Sequence, residues 1–212
     1  MHLFTIVFCL SMIGLWIGQI VQGKRPVLDI FLDDILRDFV SYEPIFMTAR
    51  VLTELGSKPF VMPFVIVMAI SLLIVFQSIL PSLIFAGGTL MTHLINMFIK
   101  EIVQRERPSI WIEASAEGYS FPSGHAMISL VCYGLLAYFL SLKVKQPKNK
   151  WIVILIFSTL IILIGMSRFI LNVHYTTDIL SGFVLGYLLL MSFIHLYWRL
   201  QILQSKNKLT NE

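Results

Sequence analysis

Six runs of apolar residues divide the chain: Leu3–Val21, Phe60–Leu80, Leu83–Ile99, Ala126–Leu142, Trp151–Leu171 and Ile179–Trp198. Each is close to the ~20 residues that an α-helix needs to cross the hydrocarbon core of a bilayer. Pro81 falls between the second and third runs and is expected to mark the turn there. The first run ends near the small residue Gly23, as a signal peptide does. Its only positive flank is the amino terminus with His2, however, and about twenty apolar residues exceed a usual signal core, so a retained span is expected.

Between the first two runs the period changes. In segment 27–42, VLDIFLDDILRDFVSY, residues Leu28, Phe31, Leu32, Ile35, Leu36 and Phe39 follow helical spacing, with Asp29, Asp33, Asp34 and Asp38 opposite. An outer amphipathic helix is expected between spans 1 and 2. It is either an interfacial wall or lid over a lipid entrance, or a short helix packed on the ends of the spans.

Composition sharpens this picture. Of 212 residues, 57% are hydrophobic and 13% are charged, against roughly 45–50% and about 25% in soluble domains. A soluble globule has too little interior for that much apolar surface. The expected fold class is all-α, a polytopic membrane protein with six transmembrane helices, organised as a single domain over residues 1–212. A soluble enzyme, a disordered chain and a nucleic-acid partner are disfavoured despite the net charge of +4. Cys9 and Cys132 lie inside apolar runs and read as buried filler. The loop KVKQPKNK between spans 4 and 5 carries Lys143, Lys145, Lys148 and Lys150 with no acid, and the tail adds Arg199, Lys206 and Lys208 against Glu212. Positive residues in short loops mark the cytoplasmic side. Both termini are therefore expected inside, in a multi-pass plasma-membrane protein.

Three clusters of polar residues interrupt the apolar pattern, and all fall at span ends on the opposite, outer side. KEIVQRERP holds Lys100, Arg107 and Pro108. A seven-residue spacing is close to two helical turns, which sets both cations on one face about 10 Å apart. Such a pair can clamp a phosphate, though basic residues also snorkel at interfaces for no other reason. FPSGHAM holds Pro122, Ser123, Gly124 and His125. Small residues at a new helix start offer backbone N–H groups and a positive dipole end to an anion, with an imidazole beside them. An ordinary serine cap with a chance histidine is the plainer reading. SRFILNVHYTTD holds Ser167, Arg168, His174 and Asp178. His174 and Asp178 stack if the segment is helical, so the carboxylate could hold the imidazole tautomer. Ionisable groups at membrane depth are functional suspects by default.

Taken together, Lys-x6-Arg-Pro, Pro-Ser-Gly-His and Ser-Arg-x5-His-x3-Asp, within residues 100–178, form a three-part signature from which no position departs. The chain resembles the type 2 phosphatidic acid phosphatase superfamily, and in length and span number its bacterial six-span lipid phosphatases. The resemblance implies that His174 attacks phosphorus to form a phosphohistidine, with Asp178 orienting it. It implies that His125 protonates the leaving oxygen and later activates water. Lys100, Arg107, Ser123, Gly124 and Arg168 would hold the phosphoryl oxygens. Three cations would stand where many phosphoryl-transfer enzymes place magnesium, so no metal and no cofactor are expected. Trp111, Tyr119 and Phe121 could line a headgroup pocket, and Glu113 and Glu117 could discourage bulky anions. A belt of interface aromatics is the alternative. Gly182 and Gly186 form G-x-x-x-G, expected to serve helix packing within the monomer.

An outward site expects a substrate with phosphate in the outer leaflet. Undecaprenyl diphosphate and phosphatidylglycerol phosphate both suit the resemblance, the former slightly ahead because it is released on that side. Lateral access from the bilayer is expected, since a lipid tail loses about 0.8 kcal/mol per CH₂ on leaving it. The vanadium-dependent haloperoxidases share these motifs but are soluble. A non-enzymatic lipid transporter or lipid-binding protein is the remaining alternative. Transporters, however, often carry broken helices and mid-membrane charges, not span-end clusters.

Overall fold

A computed structural model of the chain describes residues 2–32, 42–108 and 118–210, which are helices joined by short connections. The helices are α1 (His2–Val21), α2 (Glu43–Glu54), α3 (Lys58–Phe76), α4 (Ile79–Val103), α5 (Gly124–Lys143), α6 (Pro147–Ile170) and α7 (Thr176–Thr210). Among the described residues, all but α2 are long and apolar enough to cross a membrane, giving six spans. The chain is an all-α polytopic membrane protein.

The span boundaries follow from local chemistry, with two corrections to the sequence reading. The turn between α3 and α4 is made by Gln77 and Ser78, not at Pro81. Gln77 is left-handed (φ 50°) and its N–H bonds back to the Leu73 carbonyl. The Ser78 hydroxyl then accepts the Leu80 N–H at 3.4 Å. Pro81 sits in the first turn of α4, where its missing N–H costs nothing. The last helix does not stop near Trp198. It runs on for 35 residues in all, roughly 50 Å at 1.5 Å per residue. The residues after Trp198 include no Pro or Gly to end it.

The packed interior centres on α5, whose Val131, Leu135, Leu136 and Phe139 are buried against α3, α4 and α7. Small residues allow the spans to approach closely. A Cβ on Gly182 would lie 2.7 Å from the Ser123 carbonyl oxygen, and one on Gly186 would lie 2.9 Å from that of Met127. The G-x-x-x-G face of α7 therefore packs on the backbone of α5 within the monomer. By contrast α1 is peripheral, and of its residues Ile13 is buried while Phe4, Val7, Phe8 and Leu15 are exposed.

One end of the bundle collects the carboxyl ends of α4 and α6, the amino ends of α5 and α7, and the outer segment. By span count it is opposite both termini. Within that segment, α2 packs on α6 through buried Ala49 and Thr53. Of the expected amphipathic helix, residues 27–32 are helical, and the remainder of 27–42 up to residue 41 lies outside the described residues. The expected polarity is inverted there. Val27, Ile30 and Phe31 are exposed while Asp29 is 0% exposed. The reason is that a charged partner, Arg105, waits inside for Asp29.

Candidate functional site

The site is assembled from helix ends. α5 begins after Ser123, whose hydroxyl accepts the Ala126 N–H at 3.5 Å and whose N–H bonds the Asp178 carbonyl at 3.0 Å. Ser123 is fully buried, so its side chain caps the helix. The first residues of α5, Gly124 and His125, carry helix-start N–H groups that have no intrahelical partner. Gly124 is closely approached: a Cβ there would lie 3.0 Å from Asn96 Oδ1, which would have to shift by a few tenths of an ångström. Asn96 in turn donates to the Pro122 carbonyl at 3.2 Å, tying α4 to the start of α5. His125 lies against the α2–α3 turn, where a Cβ on Gly56 would be 2.8 Å from its Cδ2.

His174 lies in the α6–α7 connection, two residues before α7 begins, and is buried. Its Nε2 lies 3.2 Å from Arg107 Nη1. A guanidinium only donates, so Nε2 accepts and the ring proton belongs on Nδ1. Nδ1 faces Asp178 Oδ2 at 3.5 Å, a long contact across i,i+4. Burial pushes the His174 pKa well below the usual imidazole range, and the nearby Arg168, Arg107 and Lys100 charges push it the same way. The ring is therefore neutral, with the Nε2 lone pair turned towards the cations.

Asp178 is held from behind. At the third position of α7 it reaches back to accept the Tyr175 N–H at 3.0 Å, half of a capping box. Its other oxygen takes Arg105 Nη1 at 2.5 Å. Arg105 Nη2 pairs with Asp29 at 2.7 Å, and its guanidinium stacks over Tyr175 at 3.8 Å. Asp29 also accepts the Thr177 N–H and the Thr177 hydroxyl, both at 2.8 Å. An aspartate from the outer segment thus caps α7 in place of a local residue and holds the arginine that holds Asp178.

Three cations face His174. Arg107 is held by the Gly118 and Val173 carbonyls, each at 2.9 Å, leaving its position fixed before any ligand arrives. Burial lowers its pKa while Asp178 opposes the shift; a guanidinium nonetheless stays charged. Lys100 donates to the Tyr119 carbonyl. Arg168 donates to Thr53 of α2 at 2.6 Å, and its buried Nε has no hydrogen-bond partner among the described residues. Lys100, Arg107, Gly124, His125, Arg168 and His174 line one cavity of about 580 Å³. Beyond them it continues between α3 and α4, past Val61, Met62, Val65 and Ile66 on one wall and Ala86, Thr89, Leu90 and His93 on the other. Met62, Ile66 and Leu90 are exposed on the bundle flank, so the apolar part opens where lipid lies.

Of the residues singled out from sequence, Ser123 and Asp178 stand behind the cavity while the other six line it. Phe121 does not line a headgroup pocket: it is 0% exposed and packs with Ile13 and Val103, since an apolar ring beside a helix start is better buried. Trp111, Glu113 and Glu117 lie outside the described residues. Sequence reasoning passed over Asp29, Thr53, Asn96, Arg105 and Thr177. Arg105 carried a signal, a third basic residue inside KEIVQRERP, but the expected helical face shared by Lys100 and Arg107 does not form: α4 ends at Val103 and Gln104 is left-handed (φ 49°), so Arg105 and Arg107 both lie beyond the helix.

Known proteins resemble the chain in the same region. Residues 81–202 match the model of the PAP2 superfamily. Phosphatidylglycerophosphatase B of Bacillus subtilis (strain 168) is 35% identical over 145 residues, covering 65% of this chain and 68% of the relative. An undecaprenyl-diphosphatase of Sulfolobus acidocaldarius is 34% identical over 79 residues, 37% of this chain and 34% of the relative. The crystal structure of a transmembrane PAP2-type phosphatidylglycerolphosphate phosphatase from Bacillus subtilis superposes with a TM-score of 0.75 at 25% identity, covering 89% of this chain and 96% of that one. The span-end clusters, the six spans and the length of the match agree, and the chain belongs to the PAP2 superfamily.

Proposed function

We propose that this membrane lipid phosphatase removes the terminal phosphate from lipid phosphates presented in the outer leaflet, with undecaprenyl diphosphate ahead of phosphatidylglycerol phosphate. The observation that carries the reading is the cavity itself. Along α4 it runs from Lys100 to Ala86, fourteen residues, or about 21 Å of helix. It is cationic at the outer end and apolar inward. A phosphate headgroup with its tail still in the bilayer matches that gradient, so lateral access costs the tail little of its lipid burial.

In the proposed reaction, phosphoryl oxygens take over the donors of Arg107, Arg168 and Lys100 and the Gly124 N–H. Arg107 then releases the His174 Nε2 lone pair, which attacks phosphorus as the P–O bond to the lipid breaks. His125 gives its proton to the departing oxygen. Water next attacks the phosphohistidine while His125 takes the water proton back, releasing phosphate and restoring both rings. Asp178 steadies the His174 Nδ1–H throughout. The cations compensate the charge of the transferring group, which favours turnover without a metal. The lysine-rich 143–150 loop and the tail lie at the opposite end from the site, which supports cytoplasmic termini and an extracytoplasmic site.

The test is phosphate release by the purified, detergent-solubilised protein from undecaprenyl diphosphate and phosphatidylglycerol phosphate, side by side, with EDTA present. Release from both with the isoprenoid faster is expected. The reverse preference would move the protein to glycerolipid metabolism, and activity that vanishes in EDTA and returns with Mg²⁺ would overturn metal-independent turnover.

A further inference from the structure

Two basic side chains of the cavity remain without a task once the terminal phosphate is held. His93 lies in the middle of span α4 and Lys58 at the first residue of α3, and both line the cavity that contains His174. His93 is half-buried, and no side-chain hydrogen bond to it is found among the described residues. An ionisable side chain at that depth, facing a cavity rather than lipid, calls for a ligand.

Its position is well defined by neighbours. Asn96, one turn outward on α4, reaches the start of α5 through Gly124, so His93 stands one turn inward of the point where the reacting phosphate meets the Gly124 N–H. Lys100 is seven residues away, about 10 Å along the helix. Lys58 approaches from the other wall, two residues beyond Gly56, which itself touches His125. The pair therefore sits at the border between the cationic end and the apolar end, where a lipid headgroup joins its tail.

We propose that Lys58 and His93 form a second anion subsite that receives the inner phosphate of a two-phosphate lipid. That inner group is either the tail-proximal phosphate of an isoprenoid diphosphate or the diester phosphate of a phosphoglycerolipid phosphate. In both it carries one negative charge, lies between the reacting phosphate and the tail, and offers free oxygens to an ammonium and an imidazole N–H. The subsite gives the enzyme a preference for two-phosphate over one-phosphate lipids of the same tail. This inference rests on the phosphatase reading above.

The experiment compares kcat/KM within matched pairs: undecaprenyl diphosphate against undecaprenyl monophosphate, and phosphatidylglycerol phosphate against phosphatidic acid. Wild type, Lys58→Gln, His93→Gln and Lys58→Arg are assayed in the same detergent. Wild type is expected to favour the two-phosphate member. In either Gln variant that preference is expected to shrink by about tenfold, the size of one lost charge-assisted hydrogen bond, and in Lys58→Arg to persist. Shrinkage in one pair only assigns the subsite to that lipid class. Equal losses for both members of both pairs, or no loss at all, overturn the subsite. Wild-type protein that releases phosphate from none of the four lipids defeats the phosphatase reading instead.

Discussion

Replacing Asp29 by alanine tests whether the outer segment is part of the site. Asp29 accepts three hydrogen bonds, from Arg105 at 2.7 Å and from the Thr177 N–H and hydroxyl at 2.8 Å, in surroundings where Arg105 is 6% and Asp29 0% exposed. Removing one member of a buried ion pair costs about 3–5 kcal/mol because the remaining charge is stranded. Arg105 keeps Asp178 as a partner at 2.5 Å, which argues for the lower end, about 3 kcal/mol. For a chain of this size roughly 2–4 °C of Tm follows each kcal/mol, so Asp29→Ala should lower Tm by roughly 6–12 °C. Asp29→Asn can keep the Thr177 N–H contact through its one oxygen but sets an amide NH2 against Arg105 Nη2, so a shift close to that of Asp29→Ala is expected.

The consequence for catalysis has a different readout. With Asp29 gone, both terminal nitrogens of Arg105 can turn to Asp178, drawing it away from a His174 contact that is already 3.5 Å long. Misplacing the orienting group should reduce kcat by about ten- to a hundredfold while KM stays near its original value, because the cations proposed to hold the phosphate are untouched. Thermal unfolding in detergent, followed by tryptophan fluorescence, and steady-state phosphate release on the same preparations measure the two effects. A Tm within about 2 °C of the parent, or a loss expressed wholly in KM, would refute the idea that Asp29 acts through Arg105 on Asp178.

Three further outcomes are expected. His174→Ala should fold, with an unchanged elution profile, and release no phosphate above background, and Asp178→Asn should lose less because it misorients the ring without deleting it; near-parental turnover by His174→Ala would sink the proposed nucleophile. Because burial and the neighbouring cations push the His174 pKa well below 6.5, the unfolded chain binds a proton below pH 6.5 that the native chain does not. The His174 contribution to stability is therefore constant above about pH 6.5 and declines as pH falls towards the native value, by up to about 1.4 kcal/mol per pH unit. His174→Gln should show a shallower acid slope than the parent in urea titrations, and identical slopes would contradict a neutral His174. Gly182→Ala should destabilise by about 1–3 kcal/mol, since its Cβ would meet the Ser123 carbonyl at 2.7 Å and drive α7 from α5; a variant as stable as the parent would show that the two helices are not packed so closely.

What the chain reveals before folding depends on how far apart the cooperating residues lie. The spans are legible because a bilayer imposes one length and one polarity on every helix that crosses it, and the three clusters are legible because ionisable groups at span ends stand out against an apolar background. His174 and Asp178 could be paired from their spacing of four residues, although His174 precedes α7 rather than sharing a helix face with Asp178. Asp29 could not. Its partners Arg105 and Thr177 are 76 and 148 residues away, and its local period places it among the solvent-facing acids of an amphipathic helix, a reading that assumes water on the side where the structure has Arg105. Thr53, which takes a hydrogen bond from Arg168 at 2.6 Å across 115 residues, carries no local signal of any kind. The same logic explains the turn at Gln77, where a left-handed residue that is not glycine leaves nothing for pattern reading to find. The signature thus marks the residues proposed to act on the phosphate, while two that brace them from a distance, Asp29 and Thr53, come from the outer segment and α2. Those elements lie before residue 81, outside the stretch that matches the family. If the cations and histidines set the reaction and the flanking elements set its precision and its lipid, substitutions in the first group should abolish turnover on every substrate. Substitutions at Asp29, Lys58 or Thr53 should instead change rates by amounts that depend on which lipid is offered or on how firmly the site is held.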